Sequence, residues 1–157
     1  MLPLGSLLAD REHEAVEKAK ETIARRNRQP TEGRLVSALG FGFWVSLCRR
    51  PYEQGRAGGP RLWPELAMRG FPNLPQAKRT RSRIYYALNP LRHLRNRVSH
   101  HEPVWDRKLN RSHEDIIETL AWINPDLAAT LREHSPLPEV LDRGVAGFRA
   151  QAETIVK

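Results

Sequence analysis

The sequence has 157 residues, which is enough for one domain with a buried core and too short for two. Its formal charge of +8, from 26 lysines and arginines against 18 acidic residues, favours a polyanionic partner, nucleic acid before an anionic membrane surface. A single cysteine, Cys48, excludes an intramolecular disulfide, and no run reaches the roughly 20 apolar residues of a membrane span, so we expect a soluble, cytoplasmic protein.

Helical periodicity predicts the first two long elements. Apolar residues recur at helical spacing from Leu7 to about Arg26, with charged residues between them, which indicates an amphipathic first helix. After a turn, Thr31 is placed as the N-cap of a second helix that runs from about Glu32 to Arg49. This helix is apolar nearly all round, so we expect it to be central and buried.

The middle of the chain predicts a short helix followed by a long one. A glycine-rich loop precedes the short helix at Leu62–Met68, and helix resumes near Lys78. An apolar stripe then continues at helical spacing through Pro90 to Val98. Pro90 either kinks this helix or opens a new one with Asn89 as its cap.

Three further helices are predicted in the last third of the chain. Ser112–Asp115 resembles a capping box at the start of an amphipathic helix, which Asn124-Pro125 ends. A short helix over Asp126–His134 and a final helix over Glu139–Val156 follow.

These elements together predict the fold class. The sequence shows neither a convincing strand alternation nor an internal repeat. We therefore expect an all-α fold, a bundle of four to five helices with short extra helices. Residues 7–134 would form the core of a single domain, to which 135–157 add a C-terminal helix.

The stretch Leu91–Trp105 concentrates the chemistry of the chain, because it holds several arginines and three of the six histidines. Arginine is a permanent planar cation suited to phosphate oxygens, and histidine can exchange a proton near neutral pH. Together these residues indicate RNA-phosphate chemistry. Metal-independent RNA cleavage needs a base for the 2′-hydroxyl, an acid for the departing 5′-oxygen and a cation for the charged phosphate.

Three residues of this stretch fit those roles. His100 is assigned as base or acid, Arg95 as the cation, and Asn96 as the group that hydrogen-bonds the imidazole and fixes its tautomer. Arg95 lies ~140° from His100 on an ideal helix. Convergence therefore needs the reach of Arg95, a helix end near Ser99, or a second copy of the site. A twofold homodimer would supply that copy, with acid and base from different chains.

A basic run along the same helix predicts a phosphate track beside the site, in which a tyrosine could stack on a base. The RNA-binding candidates are Lys78, Arg79, Arg81, Arg83, Tyr85, Arg92 and Arg97. The alternative interpretation of this run is a solvated helix face. Zinc is not expected at His100 and His101, because no cysteine is near and Glu102 is the one close carboxylate, so we predict no metal and no cofactor.

The segment Arg95–His101 resembles the arginine, polar residue, spacer and histidine pattern of the HEPN superfamily, and the chain is similar to its Abi-like (abortive-infection) branch. Three other passages carry the resemblance, Gly40–Trp44, Leu62–Pro64 and His101–Trp105, and it covers roughly Ala15–Leu131. What it implies is an α-helical, usually homodimeric, metal-independent endoribonuclease of phage defence or toxin-antitoxin systems.

Carried over by position, the resemblance implies that Arg95 and His100 are catalytic, that Asn96 is the polar residue beside the arginine, and that His101 is the doubled histidine of the Abi-like branch. Two other functions stay open. One is a catalytically silent RNA-binding or defence-assembly module that uses the same basic cleft. The other is a structural oligomeriser whose basic face contacts an acidic antitoxin.

Overall fold

The computed structural model describes residues 8–54, 62–104, 108–144 and 147, and over these ranges it contains helices and turns without a strand. Helices of ten or more residues are α1 (Asp10–Arg25), α6 (Arg81–Ser99), α7 (Leu109–Ile123) and α8 (Pro125–His134). Shorter helices are α2 (Glu32–Ala38), α3 (Phe41–Ser46), α4 (Pro51–Gln54) and α5 (Glu65–Gly70), with a 3-10 turn at Gln76–Lys78. The predicted all-α class is confirmed.

The predicted second helix is wrong, because the chain forms two helices where one was expected. Helix α2 ends before Leu39, whose ψ is 118°, and α3 begins after Gly40, whose ψ is 164°. Both residues are extended, and Gly40 is the N-cap of α3, a position where glycine is tolerated well. Thr31 occupies the predicted N-cap position of α2, although its side chain makes no capping hydrogen bond.

The expectation that this segment is buried all round is also wrong. Helix α2 contains no buried residue, and Val36 is 54% exposed. Trp44 on α3 is 38% exposed, whereas the following Leu47 and Cys48 are buried. The physical reason is that α2 packs mainly on α1, while α3 packs on α6, so apolar side chains on the remaining faces have no neighbour to cover them.

The core lies around the first half of α6. Its cluster of buried residues consists of Leu8, Leu47, Cys48, Tyr52, Trp63, Ala67, Phe71, Leu74, Ile84 and Trp122. Helix α6 supplies Ile84 to this cluster and packs its half-buried residues up to Leu88 against it. The second half of α6, which carries the candidate catalytic stretch, therefore lies outside the core cluster, and its Val98 is 56% exposed.

Helix α6 is one continuous helix. Thr80 is its N-cap, and the Thr80 hydroxyl accepts a hydrogen bond from the Arg83 backbone N–H at 3.3 Å. Pro90 lies inside the helix and does not open a new one. The side chain of Asn89 accepts hydrogen bonds from Arg92 and does not cap a helix.

Other predicted helix boundaries need correction. The short helix begins after Pro64, not at Leu62, because a turn precedes α5. The capping box at Ser112 is wrong, since α7 starts three residues earlier at Leu109. Leu109 stands four residues before the buried His113, so the inward face of α7 extends one turn upstream of the serine.

At the other end of α7 the predicted boundary is confirmed. Asn124 ends α7 and caps α8, because its Oδ1 accepts from the backbone N–H groups of Asp126 at 2.9 Å and Leu127 at 3.1 Å. Pro125 takes the first helical position, where a missing N–H costs nothing. Residues 137–144 are helical, which agrees with the start of the predicted final helix, whose later part lies outside the described ranges.

Cys48 and the tryptophans Trp63 and Trp122 are buried. Burial raises the pKa of the Cys48 thiol to about 11, so the thiol stays protonated at neutral pH. Trp63 and Trp122 lie in the core cluster, while Trp105 is outside the described residues. Within the described part of the chain, no helix is long and apolar enough to cross a bilayer.

Candidate functional site

The candidate catalytic stretch ends α6 in a Schellman turn. Helix α6 stops at Ser99, and His100 is its C-cap. The His101 N–H donates to the Val98 carbonyl at 3.1 Å, and the Glu102 N–H donates to the Arg97 carbonyl at 2.9 Å. This pair of hydrogen bonds defines the motif, and it requires His101 to adopt the left-handed conformation, with φ of 55°.

His101 thus occupies the position at which glycine is usual. A non-glycine residue in this region brings Cβ close to the following carbonyl oxygen, although histidine tolerates it better than most side chains. The structure gives His101 a backbone role at the helix end. It also leaves the imidazole exposed.

Replacing His101 by glycine is expected to raise the free energy of unfolding by about 0.5–1 kcal/mol, because relief of the left-handed strain outweighs the added freedom of the unfolded chain. Urea unfolding followed by circular dichroism measures the change. His100→Gly is the matched control, since its φ of −97° offers no strain to relieve. An equal or larger gain in the control would contradict this account.

Arg97 holds the segment that follows the turn. Its Nη2 donates to the Pro103 carbonyl, and its Nε lies 3.7 Å from Glu102 Oε2. These contacts within the chain already use part of the guanidinium. The predicted RNA-binding role of Arg97 stays a prediction. The Arg97 side chain is 24% exposed.

Arg95, His100 and His101 are exposed at this helix end. Arg95 makes one long hydrogen bond, from Nη1 to Asn96 Oδ1 at 3.4 Å. Among the described residues, neither imidazole has a side-chain hydrogen bond or ion pair. The expected hydrogen bond from Asn96 to His100 is also absent between these two described side chains, because His100 lies beyond the last helical residue.

The predicted phosphate track is mostly occupied by contacts within the chain. Arg79 donates to the carbonyls of Leu74 and Pro72, each at 2.6 Å. Arg81 Nη1 donates to the Cys48 carbonyl at 2.8 Å, and its side chain is only 13% exposed. Arg81 thus ties the start of α6 to the segment after α3, while Arg79 holds the loop that precedes α6.

The remaining track residues are more accessible. Arg83 Nη2 lies 3.2 Å from Glu118 Oε1, and its guanidinium sits 5.7 Å from the centre of the Trp122 ring. Lys78 is exposed, and Tyr85 is half-buried with its ring 5.6 Å from that of Tyr86. The track as an RNA-binding surface stays a prediction.

A second arrangement lies beside this stretch, in a cleft between α1, α3 and α6. Its volume is about 530 Å³. Three arginines line it, Arg11, Arg49 and Arg92, and we call it the arginine cleft. It brings together Arg92, Asn96 and Tyr85, all of which the sequence had singled out. Arg95 and the two histidines are not among its lining residues.

Sequence reasoning missed Arg11 and Arg49 because neither belongs to a motif. Arg49 stands at the end of the predicted second helix, where a cation is favoured by the helix dipole and needs no further role, and Arg11 is one of several charged residues on an amphipathic helix. Only the packing of α3 on both α1 and α6 brings them together. No local sequence signal could have found this pair.

Comparisons of the chain with models of known protein families, with curated proteins and with solved structures find no match. The described residues contain no group of three or more histidine, cysteine or acidic side chains that could hold a metal ion. The helix end and the arginine cleft are the two features that bear on function.

Proposed function

We propose that this protein is a cytoplasmic, metal-independent endoribonuclease of the HEPN and Abi-like type, acting in phage defence or a toxin-antitoxin system. The observation that carries the proposal is the accessibility of Arg95, His100 and His101 at the end of α6. Arg81, Arg83 and Arg97 on the same helix are engaged with partners in the chain, whereas the two imidazoles are free to meet a substrate.

These groups can perform the chemistry of RNA transesterification. An imidazole takes the proton of the 2′-hydroxyl, and the 2′-oxygen attacks the adjacent phosphorus. The bond from phosphorus to the 5′-oxygen breaks, and a protonated imidazole gives that oxygen its proton. Arg95 stabilises the negative charge on the phosphate oxygens during the reaction. The products are a 2′,3′-cyclic phosphate and a 5′-hydroxyl.

The test is cleavage of a fluorescently labelled single-stranded RNA by the purified protein in excess EDTA. We expect cleavage under these conditions, because none of the assigned roles needs a metal ion. If the protein binds the RNA but leaves it intact, the proposed nuclease activity is wrong. That outcome would favour the second candidate, a non-catalytic RNA-binding or defence-assembly module. The formal charge of +8 supports this candidate, because it favours binding to a polyanion.

We further propose a homodimer in which one site takes Arg95 from one chain and His100 from the other. The support is the exposure of both side chains at the end of α6, where a second chain can reach them. Because α6 ends at Ser99, one chain could also bring the two side chains together, and the experiment separates these two arrangements. A mixture of inactive Arg95→Ala and His100→Ala proteins should then recover about a quarter of wild-type activity, since half the dimers are mixed and each mixed dimer has one intact site. A mixture with no recovered activity after subunit exchange would reject the shared site.

An acidic antitoxin is a further proposed partner, supported by the basic character of the chain. Such a partner would cover the exposed histidines and would lower cleavage when it is added to the assay. A binding partner that leaves the cleavage rate unchanged would not be this antitoxin.

A further inference from the structure

The arginine cleft offers cations that the fold does not use. Among the described residues, the guanidiniums of Arg11 and Arg49 have neither a hydrogen bond nor an ion pair within the chain. Arg92 differs, because its Nε and Nη2 donate to Asn89 Oδ1 at 3.1 Å and 3.0 Å. One arginine is therefore held in a fixed position, and two more can adjust around a ligand.

The opposing charge in the cleft is already satisfied. Glu12 also lines the cleft, but it is only 5% exposed, and its Oε2 accepts the Tyr52 hydroxyl proton at 2.7 Å. Glu12 stands in the first turn of α1, where the helix dipole stabilises a carboxylate. Three guanidiniums against one buried carboxylate leave the cleft with an excess of positive charge, which favours an anion.

The other walls of the cleft suit a nucleotide better than a bare anion. Tyr85 supplies an aromatic side chain, and Asn96 supplies an amide that can both donate and accept hydrogen bonds. The volume of about 530 Å³ lies within the usual range for sites that bind small organic ligands. Gly42 forms part of the wall from α3, and this leaves space opposite Arg92.

We propose that the arginine cleft is a nucleotide-binding site, in which Arg11, Arg49 and Arg92 bind the phosphate and Tyr85 contacts the base. The nucleotide is either free or part of an RNA strand. The site is separate from Arg95 and His100, so the proposal stands whether or not the protein cleaves RNA.

Binding is measured by titrating the full-length protein with two probes, adenosine 5′-monophosphate and a 2′-O-methyl RNA octamer that cannot be cleaved. Arg49→Ala is expected to weaken binding about tenfold, because a charge-assisted contact to phosphate is lost. Arg50→Ala is the matched control, since it removes the same charge from the neighbouring exposed position, which does not line the cleft. We expect this control to change affinity about twofold or less.

A second variant tests the cleft without changing its charge. In Gly42→Leu the new Cβ would lie 3.8 Å from Arg92 Cδ, an ordinary contact, and the rest of the side chain would occupy the cleft. We expect about tenfold weaker binding without a loss of stability, because leucine has a higher helix propensity than glycine. Gly33→Leu is its control, because a Cβ there meets nothing within 4 Å.

The two probes separate the possible ligands. Binding of the monophosphate identifies a free nucleotide as sufficient, and binding of the octamer alone identifies an RNA strand; both support the site. Equal losses in Arg49→Ala and Arg50→Ala, wild-type affinity in Gly42→Leu, or no binding of either probe would overturn it. His100→Ala should bind both probes like wild type, so failure of the nuclease proposal can be told apart from failure of this one.

Discussion

RNA cleavage is expected to fall at least about 100-fold when His100 is replaced by alanine, since general acid-base catalysis by a positioned side chain contributes about this much or more. The fold should not change, because His100 is exposed and its imidazole has no partner among the described residues. RNA binding should also be retained, because the fold and the basic residues of the chain are unchanged. Initial cleavage rates, measured alongside thermal unfolding and RNA affinity, separate these effects.

His13→Ala is the matched control for this experiment. His13 is also exposed, but it lies on α1 and belongs to neither the helix end nor the arginine cleft. Its replacement should leave the cleavage rate within about twofold of wild type. If His100→Ala cleaves RNA as fast as His13→Ala does, the assignment of the chemistry to the end of α6 is wrong.

Replacing Ile84 by alanine is expected to lower the free energy of unfolding by about 2–5 kcal/mol, the usual cost of removing a large aliphatic side chain from a packed core. Ile84 is 0% exposed and is the residue that α6 contributes to the core cluster. Its loss leaves a cavity under the helix that carries the candidate site. Urea unfolding followed by circular dichroism measures the change.

Two controls bracket this effect. Ile84→Val removes one methylene and should cost about 0.5–1.5 kcal/mol. Val98→Ala lies on the same helix at a side chain that is 56% exposed, so it should change stability by no more than about 0.5 kcal/mol. An Ile84→Ala cost as small as that of Val98→Ala would mean that α6 is not anchored through Ile84.

The long helices could be predicted from the sequence, and the segment between them could not. Periodic apolar residues indicated α1 and α6 because one face of each meets the rest of the molecule. The same periodicity did not reveal the break at Leu39–Gly40, where the backbone becomes extended. It also predicted the wrong burial for Val36, because hydrophobicity shows which side chains favour burial but not whether a neighbour covers them. Burial of α2 depends on packing between distant segments.

The candidate site could likewise be predicted only in part from the sequence. Arg95, His100 and His101 are neighbours in sequence, so their grouping at one helix end follows from local structure. The left-handed turn at His101 was not foreseen, because no glycine marks it. The cleft around Arg11 and Arg49 required the packing of three helices and had no signature in the sequence.

The end groups of the RNA products test the central claim most directly. Mass spectrometry of fragments formed in EDTA should find 2′,3′-cyclic phosphates paired with 5′-hydroxyls for the wild type. His100→Ala should form them at least about 100-fold more slowly, because attack by the 2′-oxygen is the step assigned to Arg95 and His100. Fragments that carry 3′-hydroxyl and 5′-phosphate ends, or cyclic ends formed equally by His100→Ala, would contradict it.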